Sequence, residues 1–377
     1  MQFRDLKKQY TILKDEIDKA MSQTAQAGTF IGGGPVKQLE ESLAEYVATR
    51  RCITCANGTD ALTIALKVWG IGPGDAVFVP DFTFFSSAET VAAEGATPVF
   101  VDVDERTYNI DPQDLERKIE AIESEGKLTP RVIVAVDLFG LPADYYIIRR
   151  IAATHNLLIL EDGAQGFGGE IDGHKACSFG DISTTSFFPA KPLGCYGDGG
   201  AIFTNNEEWA NLAESIKVHG KGTFKYDNVR IGMNSRLDTL QAAILQVKFK
   251  AFVEKELDAV NAAARSYTSK LMGLGITLPI IPEGFLSSWA QYTIQLHSRE
   301  ERDGLQAFLK ERDIPSMVYY PTGMHAQTAF ANLGYKEGDL PVTDRLCQRV
   351  LALPMHPYLE EEDITKVTDA IKEFLKK

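Results

Sequence analysis

Short apolar runs alternate with longer stretches of helical spacing through the first two thirds of the chain. Val36, Leu39, Leu43, Tyr46 and Val47 recur on one helical face behind Pro35, a residue suited to a first helical turn. A run at Cys52–Cys55 leads through the turn-like Asn57-Gly58 into a helix from about Asp60 to Trp69. Strands are predicted at Ala76–Pro80, Pro98–Val103, Arg131–Val136, Leu157–Leu160, Ile182–Phe187 and Gly200–Phe203. Between them the pattern predicts helices over Ser86–Glu94, after the capping pair Asp111-Pro112, and over Pro142–His155. Apolar strands separated by helices predict a mostly parallel sheet covered on both faces, an α/β architecture in three layers. After Leu237 the character changes. A long helical stretch runs from Leu240 beyond Tyr267, followed by strand-like alternation at Ala290–Leu296 and a helix at Arg302–Glu311. A short strand at Met317–Tyr320 and a terminal helix at Glu361–Leu375 complete a smaller α+β unit. The expected division is a large domain over 1–250, opening with an N-terminal arm of about 20 residues, and a small domain over 251–377.

Composition narrows the possibilities. With 377 residues, 44% of them apolar, the chain can bury a substantial core and is neither disordered nor fibrous. Its formal charge of −13 repels phosphate backbones, so nucleic acid is not the expected partner. The polar opening MQFRDLKKQY has no signal-peptide core, and no apolar run is long enough to span a bilayer. Five sparse cysteines suit a reducing cytoplasm. Cys52 and Cys55 lie three apart in a predicted strand, on opposite faces, which is wrong for chelating one ion.

Three segments at predicted strand ends carry groups able to do chemistry, where open α/β sheets collect their sites. Asn57-Gly58-Thr59-Asp60 opens a helix whose free N–H groups and Thr hydroxyl can hold an anion, or simply form a capped turn. Leu158–Gln165 places Glu161 and Asp162 directly after a buried strand; neighbours point opposite ways, so at most one faces the cleft. That carboxylate can pair with a cationic ring nitrogen or a metal, or cap the next turn. In STTSFFPAKPLG, Lys191 follows a strand inside an apolar loop stiffened by Pro189 and Pro192. A desolvated lysine there can form a Schiff base; a solvated loop lysine is the other reading. Ser186, five residues earlier, can offer its hydroxyl to an anion.

Taken in order, CANGTDAL, PDFTFFSSAET, LEDGAQGFGG, SFFPAKPLGCYGDGGAIFTN, GMNSRLDTLQAAIL and YYPTGMHAQ resemble the DegT/DnrJ/EryC1/StrS family of nucleotide-sugar aminotransferases, which have pyridoxal-phosphate fold type I. The resemblance covers nearly the whole chain. It implies pyridoxal 5'-phosphate as cofactor, held as an internal aldimine by Lys191, with the pyridoxamine form alternating with it. It further implies Asp162 on the pyridine nitrogen, Gln165 near the 3-hydroxyl, Phe84 stacked on the ring, and Gly58, Thr59 and Ser186 on the phosphate. Asn234 would reach the phosphate of the other subunit of a homodimer, and Arg230, Arg236 and His325 would face the sugar substrate. The implied reaction carries nitrogen from glutamate to a keto sugar on a nucleotide, with the SFFPAKPLGCYGDGGA and MNSRLDTLQAAI runs similar to the branch that aminates C3 for surface-glycan synthesis. A 4-keto sugar aminotransferase shares the same cofactor residues; a sugar 3-dehydratase lacks the lysine that is present here. A sugar-sensing regulator would have lost the lysine or the aspartate.

Overall fold

The computed structural model describes residues 1–224 and 226–376, so the last residue of the expected small domain lies outside the described residues. Seven strands form the central sheet: β1 (Arg51–Cys55), β2 (Asp75–Pro80), β3 (Thr97–Val101), β4 (Thr129–Val136), β5 (Leu158–Asp162), β8 (Ile182–Ser186) and β9 (Gly200–Thr204). Two-residue strands β6 (Glu170–Ile171) and β7 (His174–Lys175) lie apart from it. The order across the sheet is β1-β9-β8-β5-β4-β2-β3, with β9 antiparallel to both its neighbours and the other pairs parallel. The predicted parallel sheet is thus present, with β9 its exception.

Both faces are covered, as continuous apolar strands require. Ile53, Val77, Val79, Val132, Val134 and Leu160 face α3 (Gly58–Val68), α4 (Ser86–Ala93) and α7 (Glu207–Ile216). Their neighbours Phe78, Ile133, Ala135 and Ile159 face α5 (Pro112–Glu125) and α6 (Tyr145–His155). Toward β1, α2 (Gly34–Val47) and α8 (Thr239–Ala251) cover that second face, packing on Cys52, Ala201 and Phe203. Burial of each such Val, Ile, Leu or Phe stabilises by roughly 1.5–3 kcal/mol. The strand ends are therefore rigid supports for whatever the loops beyond them carry.

The segment expected as an arm is instead a helix, α1 (Leu6–Ala27), capped by Asp5, whose side chain accepts from Lys8 N at 2.8 Å. It lies along α8. The long helical stretch after Leu240 is interrupted: a π turn at Phe252–Glu256 separates α8 from α9 (Leu257–Leu271). A separate core then joins α9, α10 (Arg299–Lys310) and α12 (Glu361–Leu375) to the antiparallel pair β11 (Tyr292–Gln295) and β12 (Val350–Leu353). Between these lie β10 (Phe285–Leu286) and α11 (Pro341–Arg349). The strand expected at Met317–Tyr320 does not form; Met317 makes a single bridge to Ala352. Among the described residues no helix is long and apolar enough to cross a membrane.

Candidate active site

The carboxyl ends of β1, β5 and β8 bring the three segments together. Asn57 is the extended N-cap of α3, and its side chain accepts from Asp60 N at 2.8 Å. Gly58 follows because nothing larger fits: a Cβ there would lie 2.7 Å from Ser186 Cβ. Ser186 ends β8 opposite Gly200, whose own Cβ would lie 2.5 Å from Asn57 O. The first turn of α3 therefore sits directly on the end of β8. As at any helix start, the N–H groups of Gly58 and Thr59 have no acceptor within the helix. Thr59 Oγ1 lies 2.8 Å from Ser86 Oγ, and Ser186 Oγ accepts from Phe188 N at 3.2 Å. Neutral donors and the positive end of a helix converge here, an arrangement that suits a phosphate without any basic patch.

Glu161 and Asp162 separate as the strand pleat demands. Glu161 turns to one face and accepts from Cys177 N (2.5 Å), Phe179 N (2.7 Å), Gly180 N (3.1 Å) and Ser183 Oγ (2.6 Å). Burial pushes its carboxyl up against those donors, and the neighbouring buried Asp137 is pushed up further by burial and by Glu161. Asp162 turns the other way. Its Oδ2 accepts from Ser87 Oγ at 2.7 Å and its Oδ1 from Ala164 N at 3.2 Å. The pleat leaves Asp162 for the cleft and gives Glu161 a structural task.

Lys191 lies in a loop that closes tightly on itself: Lys191 N donates to Phe188 O at 2.8 Å, and Cys195 N to Phe187 O at 2.7 Å. Gly194 permits that closure, since a Cβ there would lie 2.5 Å from Pro189 O. Burial lowers the pKa of the Lys191 amine, the attraction of Asp162 opposes the shift, and Arg4 adds to it. Lys191 is half-buried, and desolvation favours its neutral form, the form that can act as a nucleophile or accept a proton.

One wall is aromatic. Phe84, 53% exposed between β2 and α4, has its ring 6.5 Å from that of Tyr320, which in turn packs 5.9 Å from Phe82. Gln165 is held at both ends: Oε1 accepts from Phe139 N at 2.8 Å, and Nε2 donates to Tyr320 Oη at 3.1 Å. Tyr320 and Ser87 were not among the candidates. Tyr320 stands in YYPTGM, where only His325 drew attention, and Ser87 in SSAET at a helix start.

The residues expected to face the sugar or the neighbouring phosphate have these surroundings within one chain. His325 is buried with both ring nitrogens engaged, Nδ1 2.6 Å from Asp81 Oδ2 and Nε2 3.4 Å from Asp344 Oδ1. With His325 N donating to Asp81 Oδ1 at 2.6 Å and Met324 N to Asp81 O at 2.9 Å, the ring pins its loop to the end of β2. Arg230 is exposed and donates to Ser215 Oγ; Asn234 is exposed and bridges Val218. Arg236 is partly buried, and its Nε has no hydrogen-bond partner among the described residues. None of the hydrogen bonds and ion pairs described for these four is made to Lys191 or Asp162.

The His325–Asp81 pair supplies a stability prediction. The hydrogen bond to Asp81 raises the His325 pKa despite burial. A raised histidine pKa contributes stability that is fully present below the unfolded value near 6.5 and lost as pH rises through the folded one. His325→Gln is therefore expected to cost about 3 kcal/mol at pH 6, for one member of a buried pair is removed. The deficit should shrink toward alkaline pH, read as the difference in urea midpoints at pH 6 and pH 9. An equal deficit at both would show that packing alone is lost.

All five cysteines are free and buried, and burial raises their thiol pKa values. Cys55 joins the core beneath α3 while Cys52 joins the opposite one, as alternation predicts. Among the described residues no group of His, Cys, Asp and Glu is arranged to hold a metal ion.

Comparison with known proteins shows the family. The model of the DegT/DnrJ/EryC1/StrS aminotransferase family matches residues 11–372. The chain is 44% identical over 373 residues to UDP-2-acetamido-2-deoxy-3-oxo-D-glucuronate aminotransferase of Pseudomonas aeruginosa, covering 98% of this chain and 99% of that one. Its fold matches the crystal structure of a family aminotransferase from Brucella abortus with a TM-score of 0.96 and 47% identity, covering all of both chains. It also matches DesV of Streptomyces venezuelae, solved in complex with a ketimine intermediate, with a TM-score of 0.94 and 35% identity over 100% of this chain and 98% of that one. The chain belongs to the DegT/DnrJ/EryC1/StrS aminotransferase family, an aminotransferase with pyridoxal-phosphate fold type I.

Proposed function

We propose that the protein transfers an amino group from glutamate to C3 of a keto sugar carried on a nucleotide, supplying an amino sugar for surface-glycan synthesis. The observation that carries the chemistry is the half-buried Lys191, on a loop closed by its own backbone bonds, within electrostatic reach of an Asp162 carboxylate fixed by Ser87. The C3 assignment rests on the similarity to the glucuronate aminotransferase of Pseudomonas aeruginosa, whose named substrate is a 3-oxo sugar.

The donor set fits pyridoxal phosphate. The close approach of Gly58 to Ser186 leaves a cradle of neutral donors for the phosphate, to which Thr59 adds its hydroxyl. Asp162 offers a fixed carboxylate to the ring nitrogen, Phe84 an exposed aromatic face, and Gln165 a locked amide. When bound, the cofactor supplies an aldehyde that takes up nitrogen and a protonated ring that draws off an electron pair. Asp162 keeps that ring nitrogen protonated by its charge. Lys191 Nζ, released as a free amine, would carry a proton from the α-carbon of glutamate to the C4′ carbon of the cofactor, and in the second half from C4′ to the carbon that receives the nitrogen. Desolvation shifts the amine toward the neutral form, which is the form that accepts a proton.

Two subunits are needed in this reading. Asn234 is exposed in one chain, beside a segment whose Phe224, Val229 and Ile231 are 73%, 55% and 93% exposed. A homodimer would cover these and deliver Asn234 to the neighbouring phosphate, with Arg230 and Arg236 on the sugar. The large domain 1–250 and small domain 251–377 would divide at the π turn beginning at Phe252. Free cysteines fit a reducing cytoplasm.

Glutamate with UDP- and dTDP-linked 3-keto and 4-keto sugars, read by product mass and by the position of nitrogen in NMR spectra, tests the substrate. Nitrogen at C3 is the expected result. Amination at C4 alone would overturn the sugar assignment and leave the chemistry standing.

A further inference from the structure

The loop that carries Lys191 is held from outside by the first residues of the chain. Arg4 Nη2 donates to Lys191 O at 2.7 Å and to Pro192 O at 3.3 Å. Pro192 has no N–H, so the chain here leaves carbonyls that need a donor from elsewhere. Arg4 comes from 187 residues away in sequence to supply it. The segment is itself anchored: the Phe3 ring packs 6.2 Å from Tyr319, and Phe3 O accepts from Met355 N at 3.2 Å. Just behind it Gln9 donates to Glu256 at 3.0 Å, and Tyr358 Oη also bonds Glu256, the last residue of the π turn.

We propose that Arg4 is a positioning residue for Lys191: it fixes the backbone of the lysine's loop and sets a permanent positive charge beside the amine, favouring its neutral form. The proposal rests on the reading of Lys191 as the amine that reacts with the cofactor.

The sign follows from Coulomb's law. A cation near an ammonium disfavours its charge, and Arg4 acts on Lys191 in that direction while Asp162 on β5 acts in the other. Burial lowers the pKa of Arg4 itself to about 10, against the pull of Glu256 and Tyr358, so it stays charged at neutral pH. Among the described residues, charged or titratable neighbours of Arg4 also include Asp5 beside it in the chain, Lys248 on α8 and His356 in the stretch before α12, the last two with pKa lowered chiefly by burial. With Glu256 bonded to Gln9 and Tyr358, the guanidinium is free to spend its hydrogen bonds on the two carbonyls. The N-terminal segment thus works at two levels, geometry of the loop and protonation of the amine.

The test reads the amine without turnover. Full-length protein stripped of cofactor is labelled with trace acetic anhydride across pH, and the fraction of Lys191 modified is read by peptide mass spectrometry. In Arg4→Gln the midpoint of Lys191 labelling should rise by roughly half a unit or more. Amide hydrogen exchange across residues 188–194 should quicken in the same variant. Arg4→Lys restores the charge but not the paired hydrogen bonds. It should return the midpoint toward wild type while exchange stays fast, and it serves alone should Arg4→Gln not fold. An unmoved midpoint in folded Arg4→Gln, or wild-type exchange in folded Arg4→Lys, overturns the proposal. Borohydride reduction of the cofactor-loaded wild type, with mapping of the reduced adduct, separates the two ideas. An adduct on another lysine overturns the reading and the proposal with it; an adduct on Lys191 beside an unmoved midpoint overturns the proposal alone.

Discussion

Lys191→Ala is expected to abolish amino transfer, with a loss on the order of 10⁴-fold or more, because one side chain performs both covalent capture and proton transfer. Alanine removes the amine but leaves the loop's own bonds, since Lys191 N to Phe188 O and Lys191 O to Arg4 are made by the backbone. The variant should therefore fold, and should bind pyridoxal phosphate through Gly58, Thr59, Ser186 and Asp162 without joining it covalently. Two measurements check this. The visible band of the covalently held cofactor should be replaced by that of free aldehyde. Rapid mixing with glutamate should show a half-reaction slowed by that factor and partly restored by a small primary amine added to fill the space left behind. Turnover within tenfold of wild type would make Lys191 a bystander.

The alternation of strands and helices was legible because each strand is buried on both faces and each helix on one. Val132–Val136 announces itself; the ladder nevertheless extends back to Thr129, since Asp75 and Ala76 pair with Thr129 and Pro130 at positions no apolar pattern marks. The helix expected from Pro142 starts at Tyr145, where Asp144 accepts from Ile147 N and sets the first turn. α7 was passed over although Asn206 caps it, accepting from both Glu208 N and Trp209 N. The π turn at Phe252–Glu256 inserts into what reads as unbroken helical spacing, so periodicity alone could not show it.

At the site, the pleat argument separated Glu161 from Asp162 in principle but could not say which one faced the cleft. Ser87 holds Asp162 on the face opposite Glu161 with a bond spanning 75 positions. Tyr320 reaches Gln165 across 155 positions and Arg4 reaches Lys191 across 187. Such contacts are made by the whole topology, and no local spacing encodes them. His325 shows the converse. The family resemblance implies a substrate role for it, whereas the buried Asp81 and the half-buried Asp344 flank its ring.

Asp162→Asn is expected to reduce turnover by on the order of 10³-fold, the scale of removing one preorganised electrostatic contact from a water-poor site. Asparagine preserves the shape, and its carbonyl can still accept from Ala164 N or Ser87 Oγ, so the fold and the seat of the ring survive. What goes is the negative charge. A neutral amide cannot keep a pyridine nitrogen protonated, and without that proton the electron pair released at the reacting carbon has nowhere stable to go. The charge also helps hold the proton on Lys191, so its loss lowers the amine's pKa further and should move the acid limb of the pH–rate profile to lower pH. The same change one residue earlier is the control. Glu161 faces the opposite side and accepts from three backbone N–H groups and Ser183. Glu161→Gln should lower the melting temperature while the folded fraction turns over near the wild-type rate. Equal effects of the two substitutions on kcat would mean that the site reads the sheet's rigidity and not the charge of Asp162.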